Sequence, residues 1–211
     1  MSRWRRTPLQ LTALLAGGAI GAALLSGRNT PFPAESSPDV RFARDMSAHH
    51  AQAVEMSVTM LKRASDPAVK LLAQDIALTQ QGQIGQMSGW LMAWNRPIAG
   101  SEPPMSGMNR EAMGMALSEE VKALDHLPPT VAEGRYLALL RKHHLGGVLM
   151  AKSALNTVRE PQVKAFAQRV IASQTSEIRA IDALLKTRSI QPPAAAADNT
   201  DLDNMDGMNH E

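Results

Sequence analysis

Between residues 37 and 187 the apolar positions recur every three or four residues, the spacing of helices that bury one face. Phe42, Met46, His49, Ala53, Met56 and Met60 form one such stripe. With Ser37 as N-cap and Pro38 in the first turn, the pattern predicts a first helix running to about Arg63. Asp66-Pro67 repeats that start signal, and Val69, Leu72, Ala73, Ile76, Leu78, Ile84, Met87 and Leu91 carry a second helix to about Trp94, ahead of Pro97. Residues 97–129 form a linker rich in Gly, Pro, Ser and Met, with a short helix expected at 118–126. Thr130 and Glu133 have the spacing of a capping box that opens a third helix to about Val158. Glu160-Pro161 opens a fourth to about Thr187, and the Pro, Ala, Asp and Asn-containing segment 188–211 reads as a disordered tail.

The pattern occurs twice. A shift of 94 residues lays Phe42 on Tyr136, Met46 on Leu140, His49-His50 on His143-His144, Met56 on Met150, Asp66-Pro67 on Glu160-Pro161 and Gln80 on Gln174, without a gap. A period this long marks a duplicated folding unit and not a short-repeat solenoid. Each copy, about 37–94 and 130–187, is a helical hairpin. Two hairpins bury their stripes as an all-α four-helix bundle. Aromatic residues make up only 3% of the chain and good helix formers dominate, in keeping with that class. The linker's path decides between up-down and crossover connectivity, and the spacing leaves both open.

Charge and termini adjust the picture. Arg3, Arg5 and Arg6 precede an apolar run over residues 9–25 and a Ser, Gly and Pro-rich stretch, the order of an export signal. Residues 1–36 are therefore expected to be a cleaved leader, or a membrane anchor through 9–25, with a linker, and the protein to be exported to the periplasm or cell surface. The basic pI of about 9.2 leans on that segment. Without residues 1–28, 18 basic residues face 20 acidic ones, so nucleic acid is not an expected partner, and a membrane is expected only through the N-terminal segment. No cysteine is present, so any metal must be held by His, Met, carboxylate or amide groups.

Candidate chemistry concentrates on the doubled histidines. His49 and His143 fall within the inward stripes, whereas His50 and His144 are rotated by about 100° toward helix seams. A buried imidazole without a partner costs about 1–3 kcal/mol, so something must satisfy these rings. One reading is structural: Asp45 accepts a ring N-H, and Gln80 and Gln174 complete a buried His-Gln layer. The other is a metal ion, with His49, His50, His143, His144, Met46, Met56 and Met150 as ligands. Thioether and imidazole together favour copper. Thirteen methionines are present, and Met105, Met108, Met113 and Met115 in the linker, with Met205, Met208 and His210 in the tail, are candidates for secondary metal capture. A single helical methionine is ordinarily core filler, a role expected to be weak in a linker or polar tail. No Glu-x-x-His occurs on the four helices, which argues against a di-iron carboxylate centre, and nothing demands an enzyme.

These residues resemble the domain of unknown function family 305, an exported bacterial group with a ferritin-like bundle. The resemblance is carried by Asp39-x-x-Phe42-x-x-Asp45-Met46-x-x-His49-His50-x-x-Ala53-x-x-Met56 and Gln80-x-x-Gln83-Ile84-x-x-Met87. In the second copy it is carried by Tyr136, His143-His144, Gly147, Met150-Ala151 and Gln174-x-x-Glu177-Ile178. It implies an association with copper binding and tolerance, known for some members. Two positions depart from the family pattern: Gln83 stands where a glutamate is usual, and Leu140 where a methionine is usual. The first histidine pair is thus expected to have more thioether around it, and the second more carboxylate.

Overall fold

The computed structural model describes residues 32–188. The apolar run 9–25 expected to be a leader or anchor, and the expected tail with Met205, Met208 and His210, lie outside the described residues. Among the described residues there are five helices: α1 Pro38–Arg63, α2 Pro67–Ala93, the short α3 Ser118–Ala123, α4 Pro129–Leu155 and α5 Pro161–Thr187. The Ser37 hydroxyl accepts from Val40 N at 3.2 Å and the Asp66 carboxylate from Ala68 N at 2.7 Å, so both N-caps of the first hairpin form as the sequence implies. The third long helix differs. It begins at Pro129, behind Pro128, and the expected Thr130–Glu133 capping box is not made.

Glu133 is engaged elsewhere. One of its oxygens accepts from Ser65 N, the Ser65 hydroxyl and Asp66 N at 2.6, 2.8 and 2.9 Å, closing the α1–α2 turn. Asp39, 94 positions earlier, does the same for the other copy: its carboxylate accepts from Arg159 N and Glu160 N at 3.0 and 2.9 Å, at the α4–α5 turn. Each repeat therefore caps the hairpin turn of the other, and the capping competition is won by the non-local partner. Burial pushes the Glu133 carboxyl up, but the donors from Asp66 and Ser65 and the nearby Arg188 guanidinium outweigh it and hold the group below its ordinary value.

The core divides into two apolar clusters. The first holds Val40, Phe42, Met46, Met87, Leu91, Val148, Met150, Val163, Phe166 and Val170. The second holds Ala53, Met56, Met60, Val69, Ile76, Tyr136, Leu140, Ile181 and Leu185. Along α1 and α5 the first cluster precedes the second, and along α2 and α4 the order reverses. The helices therefore run up, down, down, up, and the connection between copies crosses the length of the bundle.

That crossover lies along α1. Arg41 donates to Ser106 O, Asp45 accepts from Met105 N at 2.6 Å, and Gln52 both accepts from Ala116 N and donates to Ala116 O, at 2.8 and 2.9 Å. Near the far end Arg63 donates to Leu127 O. Asp45 is thus occupied by the linker backbone and does not serve the His49 ring. Met105 and Met115 are 2% and 6% exposed and join the first cluster, so they are core residues, not flexible capture arms. A Gly and Pro-rich composition was a poor guide because the backbone is held by side chains distant in sequence.

Two α4 glycines admit this packing. A Cβ on Gly146 would lie 1.8 Å from Met113 O, and one on Gly147 would lie 2.2 Å from Gln174 Oε1. Gly114, where the linker passes closest, has φ +74°, a conformation glycine tolerates and other residues avoid. Gly146→Ala is accordingly expected to force the linker off α4 and to cost at least about 2 kcal/mol, in the range of overpacked cores. Urea denaturation checks it, and a midpoint unchanged from wild type would contradict the close approach.

Candidate metal centre

Between the two apolar clusters lies a single polar layer. Its members come from one turn of each long helix: His49 and His50 on α1, Gln80 and Gln83 on α2, His143 and His144 on α4, and Gln174 and Glu177 on α5. All four histidines are fully buried, and Gln80 and Gln174 are 1% and 2% exposed. His49 and His143 stack across the α1–α4 contact with ring centroids 3.8 Å apart and planes at 30°. His50 and His144 stand 6.3 and 6.2 Å from their chain neighbours.

The hydrogen bonds fix the tautomers. His49 Nε2 donates to Met113 O at 3.0 Å, and His143 Nε2 donates to His49 O at 3.0 Å. A carbonyl oxygen can only accept, so Nε2 carries the proton in both rings. His144 Nε2 pairs with Glu177 Oε2 at 2.7 Å, which again places a proton on Nε2. In the neutral ring the other nitrogen, Nδ1, is then the lone-pair atom. Nδ1 of His49, His143 and His144 is buried and without a hydrogen-bond partner, as are both nitrogens of His50. Gln83 approaches His50 from α2 without completing a bond to it.

Burial, the largest influence, disfavours the charged imidazolium. It holds His49 down to about 4 and His50 to about 3, and pushes His143 well below the ordinary imidazole value. Neighbouring imidazoles deepen the effect at His50 and His143, while the Met113 carbonyl partly opposes it at His49. At neutral pH these three rings are neutral donors of electron pairs.

The glutamines do not quench them. Neither the oxygen nor the nitrogen of the Gln80 and Gln174 amides has a hydrogen-bond partner, so the expected His-Gln hydrogen-bonded layer is not formed. Met46 and Met150 flank the polar layer from the first cluster and Met56 from the second. The carboxylate that is used, Glu177, was quoted in the sequence motif but given no role; its substitution by glutamine at the equivalent position 83 was the signal that the two halves differ.

As a donor set, the layer offers bare imidazole nitrogens whose opposite N-H groups are anchored on carbonyl or carboxylate, the outer-shell arrangement that orients metal-ligating histidines. Among the described residues, no three His, Asp or Glu side chains converge as a ligand group.

Fold and layer together define a class: a duplicated, crossover four-helix bundle divided by a histidine-rich polar layer. The chain belongs to the domain of unknown function family DUF305, whose model matches residues 39–185. A candidate secreted DUF305 protein of Streptomyces coelicolor is 44% identical, superposes with a TM-score of 0.71, and is matched over 76% of this chain and 99% of that one. CopM in its Cu(II)-bound form shares the fold at 24% identity and a TM-score of 0.60, over 71% of this chain and 97% of that one. An uncharacterized protein of Acanthamoeba polyphaga mimivirus is 38% identical over 53 residues, and the chain spans 35% of the length of that curated relative. No helix among the described residues is long and apolar enough to cross a membrane.

Proposed function

We propose that this protein binds a soft transition-metal ion, copper foremost, as cargo, and sequesters it or hands it on without catalysing a reaction. One observation carries the reading: in His49, His143 and His144 the Nε2 proton is directed at an acceptor, leaving Nδ1 buried and bare. His50 adds a ring with no partner, and Met46, Met56 and Met150 are the flanking thioethers. The copper-bound forms of CopM, a bundle of the same fold, support the choice of ion. An exported setting, with the segment before residue 37 as leader or anchor, agrees with the absence of cysteine and with the candidate secreted relative.

The test is titration of the full chain with Cu(I) against a competing chelator, beside a variant with His49, His50, His143 and His144 changed to alanine. Wild type is expected to hold copper at chelator concentrations that strip the variant. Binding by wild type should persist at pH 5, because protons compete weakly for rings as resistant to protonation as His49 and His50. Equal binding by the two proteins would remove the histidines from the site.

A second reading has its own support. The close His49–His143 stack and the His144–Glu177 pair are what a purely structural polar layer would contain. Copper then leaves the melting temperature unchanged, whereas an ion that binds only the native state must raise it.

A further inference from the structure

Outside the histidine layer, three thioethers meet at one cleft. A pocket of about 370 Å³ opens between the start of α1, the end of α4 and the linker; Phe42, Asp45, Met108, Met113, Leu149 and Met150 are among its lining residues. Met113 is partly buried against the first cluster, Met150 is 5% exposed, and Met108 is 36% exposed at the rim. The linker is shaped for this position. Met105 and Gly107 both take positive φ, and Asp45 and Arg41 hold the backbone of Met105 and Ser106. The remaining Asp45 oxygen, Oδ2, is buried without a hydrogen-bond partner; Arg41 Nε lies 3.7 Å away.

Residue 113 belongs to both sites. Its side chain lines the cleft, while its carbonyl accepts the Nε2 proton of His49. Thioethers are soft, weakly basic donors that select monovalent coinage ions over hard cations. Apolar packing alone does not account for a partly open cleft lined by three methionines and by a carboxylate whose Oδ2 is buried without a hydrogen-bond partner.

We propose that Met108, Met113 and Met150 form a separate thioether site for a soft monovalent cation, Cu(I) or Ag(I), and that it is the port through which the ion reaches the histidine layer. It rests on the proposed metal-binding function for its destination, but binding at the cleft stands or falls on its own. Asp45 supplies a buried carboxylate oxygen to the cleft without binding hard ions selectively, and movement of residue 113 couples the cleft to His49.

The experiment is Ag(I) titration of the full chain carrying carbon-13 methionine methyl groups. On addition of the first equivalent, the methyl resonances of Met108, Met113 and Met150 are expected to shift, while those of Met56 and Met60 do not. Changing Met108 and Met113 to leucine, which nearly conserves volume and spares the thioethers that flank the histidine layer, should remove one bound silver ion and slow loading of the histidines. Where the double variant is poorly folded, Met108→Leu at the rim gives the same comparison. In the protein lacking all four histidines, the cleft resonances should still shift. Unmoved cleft methyl groups in wild type, or undiminished stoichiometry and loading rate in the leucine variant, overturn the port. Shifts at the cleft with no copper retained by the histidines would instead overturn the proposed function alone.

Discussion

Acidification from pH 6.5 to pH 4.5 is expected to remove roughly 5 kcal/mol of stability from the metal-free protein, through His49 and His50 alone. An imidazole in the unfolded chain has its ordinary value of 6.5, while burial holds these two at about 4 and about 3 when folded. Below pH 6.5 the unfolded chain therefore takes up protons that the folded protein refuses. Stability contributed by the neutral rings is full above that pH and falls as pH drops, by about 1.4 kcal/mol per unit for each ring, until the folded value is reached. His143, shifted in the same direction, adds to the slope. A loss of this size rivals the whole stability of a typical domain, about 5–15 kcal/mol.

The two shifted carboxyls of the bundle act differently: Asp45, raised from 3.8 chiefly by burial, takes up its proton first in the folded protein and so opposes the loss in part. Glu133, lowered from 4.5 in the folded state, contributes stability that is lost only as pH falls below that value. Urea midpoints measured across the range should therefore decline steeply above pH 4.5, and less steeply once His49 and His50 are replaced by glutamine. A midpoint that stays flat from pH 7 to pH 5 is incompatible with buried neutral histidines.

Asp39→Ala and Glu133→Ala should each lower stability by roughly 3 kcal/mol, because each removes two charge-assisted hydrogen bonds to partly buried backbone N-H groups of the opposite repeat. In a bundle of this size that corresponds to a fall of about 10 °C in melting temperature. The two caps lie at opposite ends of the bundle, so the double variant is expected to show additive losses approaching 6 kcal/mol. Asp39→Asn, which keeps one acceptor oxygen, should recover part of the loss. Calorimetry of the four proteins decides the matter: losses under 1 kcal/mol, or a strong effect at one cap only, would show that the repeats are not held together by reciprocal capping.

Much of this was legible in the chain. The three-four spacing, the Ser37-Pro38 and Asp66-Pro67 starts and the ungapped register of the two copies specify four long helices, because helix formation and capping are decided within a few residues. The histidine stripe was legible for the same reason. Glu133 was misread as a local cap although its register with Asp39 was visible; two acids at matching positions in a duplicated hairpin signal a shared, non-local task. Met105 and Met115 turned out to be core residues because composition describes a segment's own tendencies and not the surface it will cover.

The tautomers could not be read from the sequence at all. They depend on the carbonyls of Met113 and His49 and on the carboxylate of Glu177, groups 64, 94 and 33 positions away from the rings they serve. The sequence by itself determined the helices, their duplication and the residues that share each inward face, since these follow from local backbone preference and apolar periodicity. Only the tertiary structure decided the crossover path, the division of the core by a polar layer and which imidazole nitrogen is left bare. Each of those depends on which distant backbone group comes within hydrogen-bonding distance once the helices pack.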